Sequence, residues 1–167
     1  KDYQGIPKKK ALMIKINIIS NNKTWYRYIK NPSAFIDRKI KNLNTKFTAY
    51  KKSNIFCTLL LSGDNEIKRL NKKFRNKNKS TDVLSFPFHS KKELKKKLNK
   101  KEKEVYLGDI IINLNRVDYK NDKIKFRLEF NKLWVHGLLH LFGYDHKKEK
   151  DYKNMLKIEK KFLSYLN

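Results

Sequence analysis

Three of the four histidines of this chain lie within eleven consecutive residues, and their spacing suits metal binding. His136 and His140 are four residues apart, which is about 40° around a helix, so both imidazoles can reach one point above the same face. Gly143 stands where this helix is expected to end, because glycine accepts the left-handed conformation that terminates helices. The chain can then fold back and bring His146 toward the other two. Three neutral imidazoles arranged in this way predict a Zn²⁺ site whose fourth position is open to water.

The surroundings of these histidines leave an alternative open. The same segment is very apolar, so the imidazoles can also be core side chains without a ligand. We favour metal binding because buried imidazoles without partners each carry a desolvation cost, which a shared ion removes. Metzincin proteases have the same histidine spacing, but their catalytic glutamate is replaced here by Gly137. The pattern therefore indicates a metal site and argues against a protease of that kind, which would lack its proton acceptor.

The composition restricts the class of protein that carries this site. The chain has 167 residues and a 39% apolar share, which is enough for a folded domain with a core. Its longest apolar run, residues 55–61, is far shorter than the ~20 residues of a membrane span. Lys15 interrupts the first apolar segment, so no secretory signal is expected. Cys57, the single cysteine, is expected to pack in a core strand. We therefore expect a cytoplasmic protein with no membrane partner.

The net charge of +26 has two interpretations. Lysine supplies 36 of the 42 cations, and Asn (18) and Ile (15) are also abundant. A/T-rich codons encode these three residue types, so genome composition alone can produce such a surface. A dense lysine surface also binds polyanions by releasing phosphate counterions. The most biased stretch, residues 91–103, is compatible with a short helix and equally with a flexible basic loop.

Hydrophobic periodicity predicts the elements that position the histidines. Strands are predicted at Met13–Ile19, Ile55–Leu61, Asp82–Phe86 and Val105–Asn113. Helices are predicted at Pro32–Phe47, after Asp64, from Phe126 to about Phe142, and from Glu149 to about Leu166.

The order of these elements predicts an α+β fold. We expect a small mixed β-sheet packed with helices, in which a C-terminal helix and turn carry the three-histidine metal site. Asp64 is expected to cap the second helix, whose apolar stripe is Ile67, Leu70 and Phe74. Residues 13–167 are expected to form a single domain, and residues 1–12 an N-terminal extension.

Several blocks of the chain resemble the YbeY family of bacterial rRNA maturation factors. Residues 136–146 (HGLLHLFGYDH) resemble the family's histidine signature. Residues 71–75 (NKKFR) and 81–87 (TDVLSFP) are similar to another block, and residues 107–110 (LGDI) resemble one of its strands. The occurrence of these blocks in this order is far more specific than the histidine spacing alone.

This resemblance implies a metal-dependent hydrolase, namely a single-strand-specific, zinc-dependent endoribonuclease. Its implied roles are 16S rRNA 3′-end maturation and ribosome quality control. Carried over by position, His136, His140 and His146 match the zinc ligands, with one ion per chain, and Arg75 matches a functionally important arginine. The implied partners are rRNA and the small ribosomal subunit, with an assembly GTPase or a small-subunit ribosomal protein, and no DNA.

Arg75 also has a physical case of its own, because arginine is scarce in this chain. A planar guanidinium binds phosphate through paired hydrogen bonds and stabilises charge that develops during phosphoryl transfer, which a lysine does less well. An ordinary solvated arginine at a helix end is the alternative. Asp82, Ser85 and Asp109 match the family too, but capping and turn hydrogen bonds explain them, so we assign them no catalytic role.

The sequence also gives expectations for Asp145 and His89, and it leaves two candidate functions. Asp145 either orients a ligand imidazole or is a turn residue, and His89 is expected to be a solvated loop residue. The first function is a ribonuclease whose proton acceptor the sequence does not identify, with zinc-bound hydroxide and the RNA's own 2′-hydroxyl as the two alternatives. The second is a ribosome-assembly factor with a structural zinc and negligible hydrolysis. Closed structural sites normally use four ligands that include cysteine, and Cys57 is remote in sequence, which favours the first function.

Overall fold

A computed structural model of the protein describes residues 14–48 and 53–166. The described residues form four strands: β1 (Ile14–Ser20), β2 (Asn54–Ser62), β3 (Val83–Pro87) and β4 (Glu104–Asn113). They also form five α-helices: α1 (Pro32–Lys46), α2 (Asp64–Arg75), α3 (Lys91–Asn99), α4 (Lys123–Leu141) and α5 (Glu149–Tyr165). The predicted extension, residues 1–12, and Met13 lie outside the described residues.

The sheet confirms the predicted mixed α+β architecture. Its strand order is β1-β2-β4-β3, with β1, β2 and β4 parallel and the edge strand β3 antiparallel to β4. Side chains alternate between the two faces, as the pleat requires. Ile111 packs with Ile67 of α2, whereas Ile110 lies against Gly137 of α4. The sheet is thus covered by α2 on one face and by α4 on the other.

The C-terminal part of helix α4, residues 130–141, is buried on nearly all sides and belongs to the larger core. Trp134 and Phe130 are fully buried, and the helix packs against β3, β4 and α5. It begins three residues before the predicted Phe126, because the Asp122 carboxylate accepts hydrogen bonds from the backbone N–H groups of Ile124 and Lys125. Although α4 is apolar, no helix of the described residues is long and apolar enough to cross a membrane.

The lysine-rich stretch forms a helix over its first nine residues, which decides between the two expectations for it. Ser90 and Glu93 make a reciprocal capping box at the start of α3. Leu94 and Leu98, four residues apart, are buried in the main core, while Lys95 and Lys96 between them are exposed. These features stabilise helix rather than loop.

The start and the end of α2 differ from the expectation. Gly63, not Asp64, occupies the N-cap position, and the Asp64 carboxylate instead accepts hydrogen bonds from Ser80 and Asn113. These hydrogen bonds hold the pKa of Asp64 below its usual range. Phe74 was predicted on the apolar stripe but is 58% exposed. It lies in the last turn of α2, beside the edge strand β3, where its ring contacts only one other ring in the described residues, that of Phe86.

Candidate metal centre

The three clustered histidines converge as their spacing predicts. His136 and His140 lie on the last turns of α4, and their Nε2 atoms are 3.1 Å apart. The chain then turns at Gly143, whose φ of +84° is the left-handed conformation predicted for it. His146 follows this turn, and one ring nitrogen from each of the three histidines lies within 4.8 Å of the others. The residues around the turn thus bring three donor atoms to one point.

Hydrogen bonds to two of the imidazoles set their orientation. Nδ1 of His136 lies 3.0 Å from the Glu159 carboxylate, and Nδ1 of His140 lies 3.0 Å from the Tyr144 carbonyl oxygen. Both partners accept hydrogen bonds, so each Nδ1 carries the proton and each Nε2 keeps its lone pair for a ligand. Burial, and then the neighbouring His136, lower the pKa of His140, which favours the neutral form that binds metals. This donor set fits zinc.

Glu159 is a component of the site that the sequence analysis did not identify. It lies on α5, four residues after Met155 and three before Phe162, and both of these neighbours are buried. A carboxylate on the buried side of a helix is uncommon unless it has a partner. The sequence signal was therefore its position on the apolar face of α5.

Asp145 and Cys57 lie outside the group of donor atoms. The Asp145 carboxylate accepts a hydrogen bond from the backbone N–H of His146 and pairs with Lys147, so it is a turn residue. That backbone hydrogen bond holds the pKa of Asp145 below its ordinary value. Cys57 is fully buried in β2, as predicted, and burial raises the pKa of its thiol to about 12. A thiol in that state is protonated at neutral pH and is a poor metal ligand.

A cavity of about 400 Å³ connects the histidines with Arg75. Arg75 ends α2, and its Nη2 donates a hydrogen bond of 3.2 Å to the carbonyl oxygen of Ser85. The guanidinium carbon also lies 5.9 Å from the centre of the Phe86 ring. These two contacts hold the side chain beside the cavity, and the guanidinium has further N–H donors for an anion.

Gly137 allows α4 to pack directly on the sheet. A Cβ atom at this position would lie only 2.6 Å from Cγ2 of Ile110, so a glutamate would displace the helix. The hydroxyl of Ser85 also donates a hydrogen bond to the Gly137 carbonyl oxygen, 3.3 Å away, and thereby ties β3 to α4. The glycine is thus a packing requirement, and it explains physically why the metzincin glutamate is absent.

Asp82 and Asp109 have structural partners, as expected. Asp82 accepts a hydrogen bond from the backbone N–H of Val83 at the start of β3. Asp109 accepts one from the hydroxyl of Tyr106, at 2.5 Å. His89 lies in a loop, as expected, but it is half-buried and its ring packs against Phe88 in a T-shaped contact.

Comparison with known proteins assigns the family. A sequence model described as Endoribonuclease YbeY matches residues 18–167. This chain belongs to the YbeY endoribonuclease family. A relative from Pelagibacter ubique, named Endoribonuclease YbeY, is 45% identical over 149 residues, which cover 88% of this chain and 92% of the relative. A relative of the same name from Thermodesulfovibrio yellowstonii is 34% identical over 151 residues, 89% of each chain.

The fold of the YbeY-family chain is also found in a solved structure. The solution structure of a Thermotoga maritima protein matches with a TM-score of 0.57 over 91% of this chain and 89% of that one. The two sequences are 24% identical, so this likeness concerns the fold. Membership of the YbeY family places the protein among nucleases, which are hydrolases, and the cavity with Arg75 and three histidines is its candidate active site.

Proposed function

We propose that this protein is a zinc-dependent endoribonuclease specific for single-stranded RNA. Its roles would be 16S rRNA 3′-end maturation and ribosome quality control. The observation that carries the chemical part of the proposal is the meeting of three oriented imidazoles and an arginine in one cavity of about 400 Å³. The biological roles rest on the resemblance of the sequence blocks to the YbeY family.

The proposed ligands of the zinc are His136, His140 and His146, with one ion per chain. The group of potential ligands found in the described residues contains these three side chains, fewer than the four of a closed structural site. When bound at such a site, zinc acts as a Lewis acid toward a phosphate oxygen or lowers the pKa of a water. Glu159 and the Tyr144 carbonyl would keep the imidazoles in the tautomer that binds it.

Arg75 would bind the scissile phosphate across the cavity from the histidines. Cleavage forms a bond from an attacking oxygen to phosphorus and breaks the bond from phosphorus to the leaving oxygen, which takes up a proton as the attacking group loses one. Negative charge accumulates on the other phosphate oxygens during this step. A guanidinium already held by Ser85 and Phe86 stabilises that charge without having to reorganise. Arg75 is the catalytic residue in this proposal.

The recessed position of the cluster supports a preference for unpaired RNA. His136 and His140 are half-buried within the cavity wall, so a phosphate must enter the cavity to reach them. A flexible single strand can bend into such a site, whereas an A-form duplex is wide and stiff. The net charge of +26 supports a polyanionic partner. The proposed partners are rRNA and the small ribosomal subunit, with an assembly GTPase or a small-subunit ribosomal protein, in the cytoplasm.

The deciding experiment measures metal content and RNA cleavage together. Protein purified without chelator is expected to contain about one zinc per chain by elemental analysis. It should cut an end-labelled single-stranded RNA but not the same sequence in a duplex. A chelator should abolish cutting, and zinc should restore it. Zinc-loaded protein that leaves single-stranded RNA intact would instead support the assembly factor with a structural zinc.

A further inference from the structure

A second, larger cavity adjoins the candidate active site. This groove has a volume of about 900 Å³ and shares Arg75, Ser85, His140 and His146 with the smaller cavity. The two cavities are therefore lined by common side chains. A chain whose phosphate lies at the histidines can continue into the groove.

Phe88 is the distinctive side chain of this groove. It lines the cavity and is 68% exposed, which is unusual for a phenylalanine. Its ring has edge-on contacts with the rings of His89 and Tyr106, at centroid distances of 5.0 Å and 5.5 Å. These two neighbours hold the ring in place while most of the residue stays open to solvent.

The backbone beneath Phe88 is held by β4. The N–H of Phe88 donates a hydrogen bond of 2.8 Å to the carbonyl oxygen of Leu107. Gly108, which follows Leu107 in β4, has a φ of +127°, and a Cβ atom at this position would lie 2.1 Å from the carbonyl oxygen of Phe86. The close approach of the two strands thus requires the glycine, and it places Phe88 in a defined position beside the groove.

Cationic side chains accompany the exposed ring. Lys77, Lys91 and Lys147 line the same groove, in addition to Arg75. Proteins that bind single-stranded nucleic acids combine cationic grooves, which follow the phosphates, with aromatic rings on which bases stack. An exposed phenylalanine beside these cations fits this class of ligand better than a protein partner, which would need a contiguous apolar patch.

We propose that Phe88 is a stacking platform for an unpaired base of the RNA strand whose phosphate lies at the three-histidine cluster. The inference rests on the proposed function, because it takes RNA as the substrate. It adds a residue that binds the base through the base's aromatic face. A base inside a duplex is already stacked on both faces and cannot stack on the ring, so Phe88 also contributes to the preference for single strands.

The test compares two substitutions of Phe88 with a matched control. Phe88→Leu removes the aromatic face, Phe88→Trp keeps one, and Tyr152→Leu removes another aromatic residue that is 53% exposed and lies on α5. Zinc-loaded protein is titrated with fluorescent single-stranded 2′-O-methyl oligoadenylate, whose integrity is checked after each titration. We expect Phe88→Leu to weaken binding about 5- to 100-fold. Phe88→Trp and Tyr152→Leu should bind like the parent.

Two further measurements separate stacking from charge and from a folding defect. Phe88→Leu should leave the salt dependence of binding unchanged, whereas Lys77→Gln should reduce its logarithmic slope by about 0.7. A set of oligonucleotides is then compared, each with a single abasic position at a different place in the strand. The parent protein should bind one of these oligonucleotides more weakly than the others. For that oligonucleotide, the abasic position should not lower the affinity of Phe88→Leu any further.

The outcomes also distinguish this inference from the proposed function. Binding that depends on Phe88 without any cleavage would overturn the nuclease and leave the platform. Parental binding by Phe88→Leu, together with normal cleavage, would overturn the platform and leave the nuclease. The platform would also be overturned if the abasic position lowered the affinity of the parent and of Phe88→Leu equally wherever it is placed. It would be overturned as well if Phe88 were required for binding a ribosomal protein but not for binding RNA.

Discussion

The histidine cluster and the lysine-rich helix α3 use polar residues in opposite ways. At the cluster, each imidazole is oriented by one hydrogen bond. Nδ1 of His136 is bonded to the Glu159 carboxylate, and Nδ1 of His140 is bonded to the Tyr144 carbonyl oxygen. On α3, the capping box and two buried leucines hold the helix, and four of its five lysines are exposed. Lysine charges on a solvated surface are interchangeable, whereas oriented donor atoms are not. We therefore expect the first region to carry the chemistry and the second to contribute only RNA affinity.

The largest expected effect comes from removing one ligand of the cluster. His136→Ala should lose the metal, because two imidazoles remain where three converge, and RNA cleavage should become undetectable. Elemental analysis and single-turnover cleavage measure the two losses. His89→Ala, which changes the remaining histidine of the chain, is the control for metal content and should keep its zinc. A His136→Ala protein with a full complement of metal would mean that the cluster is not the zinc site.

The next effect tests whether Arg75 acts through geometry or through charge. Arg75→Lys keeps the charge but loses the planar fork, so single-turnover cleavage should fall about 100-fold while zinc content stays normal. Arg69→Lys on the same helix is the matched control, because Arg69 is exposed and paired with Glu66. If Arg75→Lys and Arg75→Ala both cleave RNA like the parent, Arg75 is a surface residue.

A smaller effect is expected from Glu159, which contacts His136 without being a ligand. Glu159→Gln should weaken zinc affinity about 10- to 100-fold, because the amide accepts the imidazole N–H less strongly than a carboxylate does. Competition with a chelating dye measures this affinity. Glu149→Gln, an exposed carboxylate at the start of α5, is the control and should leave zinc affinity unchanged. An unchanged affinity in Glu159→Gln would remove Glu159 from the metal site.

The smallest effect on chemistry is expected from α3. Changing Lys92, Lys95 and Lys96 to Gln should weaken RNA binding and lower the logarithmic salt slope, by up to about 0.7 for each lysine that no longer binds a phosphate. Cleavage at saturating RNA should remain close to the parental rate. The same change at Lys150, Lys157 and Lys160 of α5 controls for net charge and should affect binding less. Parental binding by the α3 variant at every salt concentration would mean that this basic surface reflects genome composition.

Helix and strand positions were predictable where apolar periodicity was strong. The strands at residues 55–61 and 105–113 and the helix ending near Gly143 are close to the observed β2, β4 and α4. The cap of α2 was predicted wrongly because Asp64 has better partners in Ser80 and Asn113, which are distant in sequence. The exposure of Phe74 likewise depends on how far the sheet extends under α2, which periodicity does not report.

The sequence by itself determined the donor set of the site. Histidine spacing on a helix, followed by a glycine that must turn the chain, is local geometry, and local geometry is encoded by adjacent residues. The tertiary structure decided what orients and completes the set: Glu159 from α5, the Ser85 carbonyl that holds Arg75, and the Ile110 side chain that requires Gly137. Each of these contacts joins residues that are far apart along the chain or on different elements. Only the packing of α2, α4 and α5 around the sheet brings them within hydrogen-bonding or van der Waals distance.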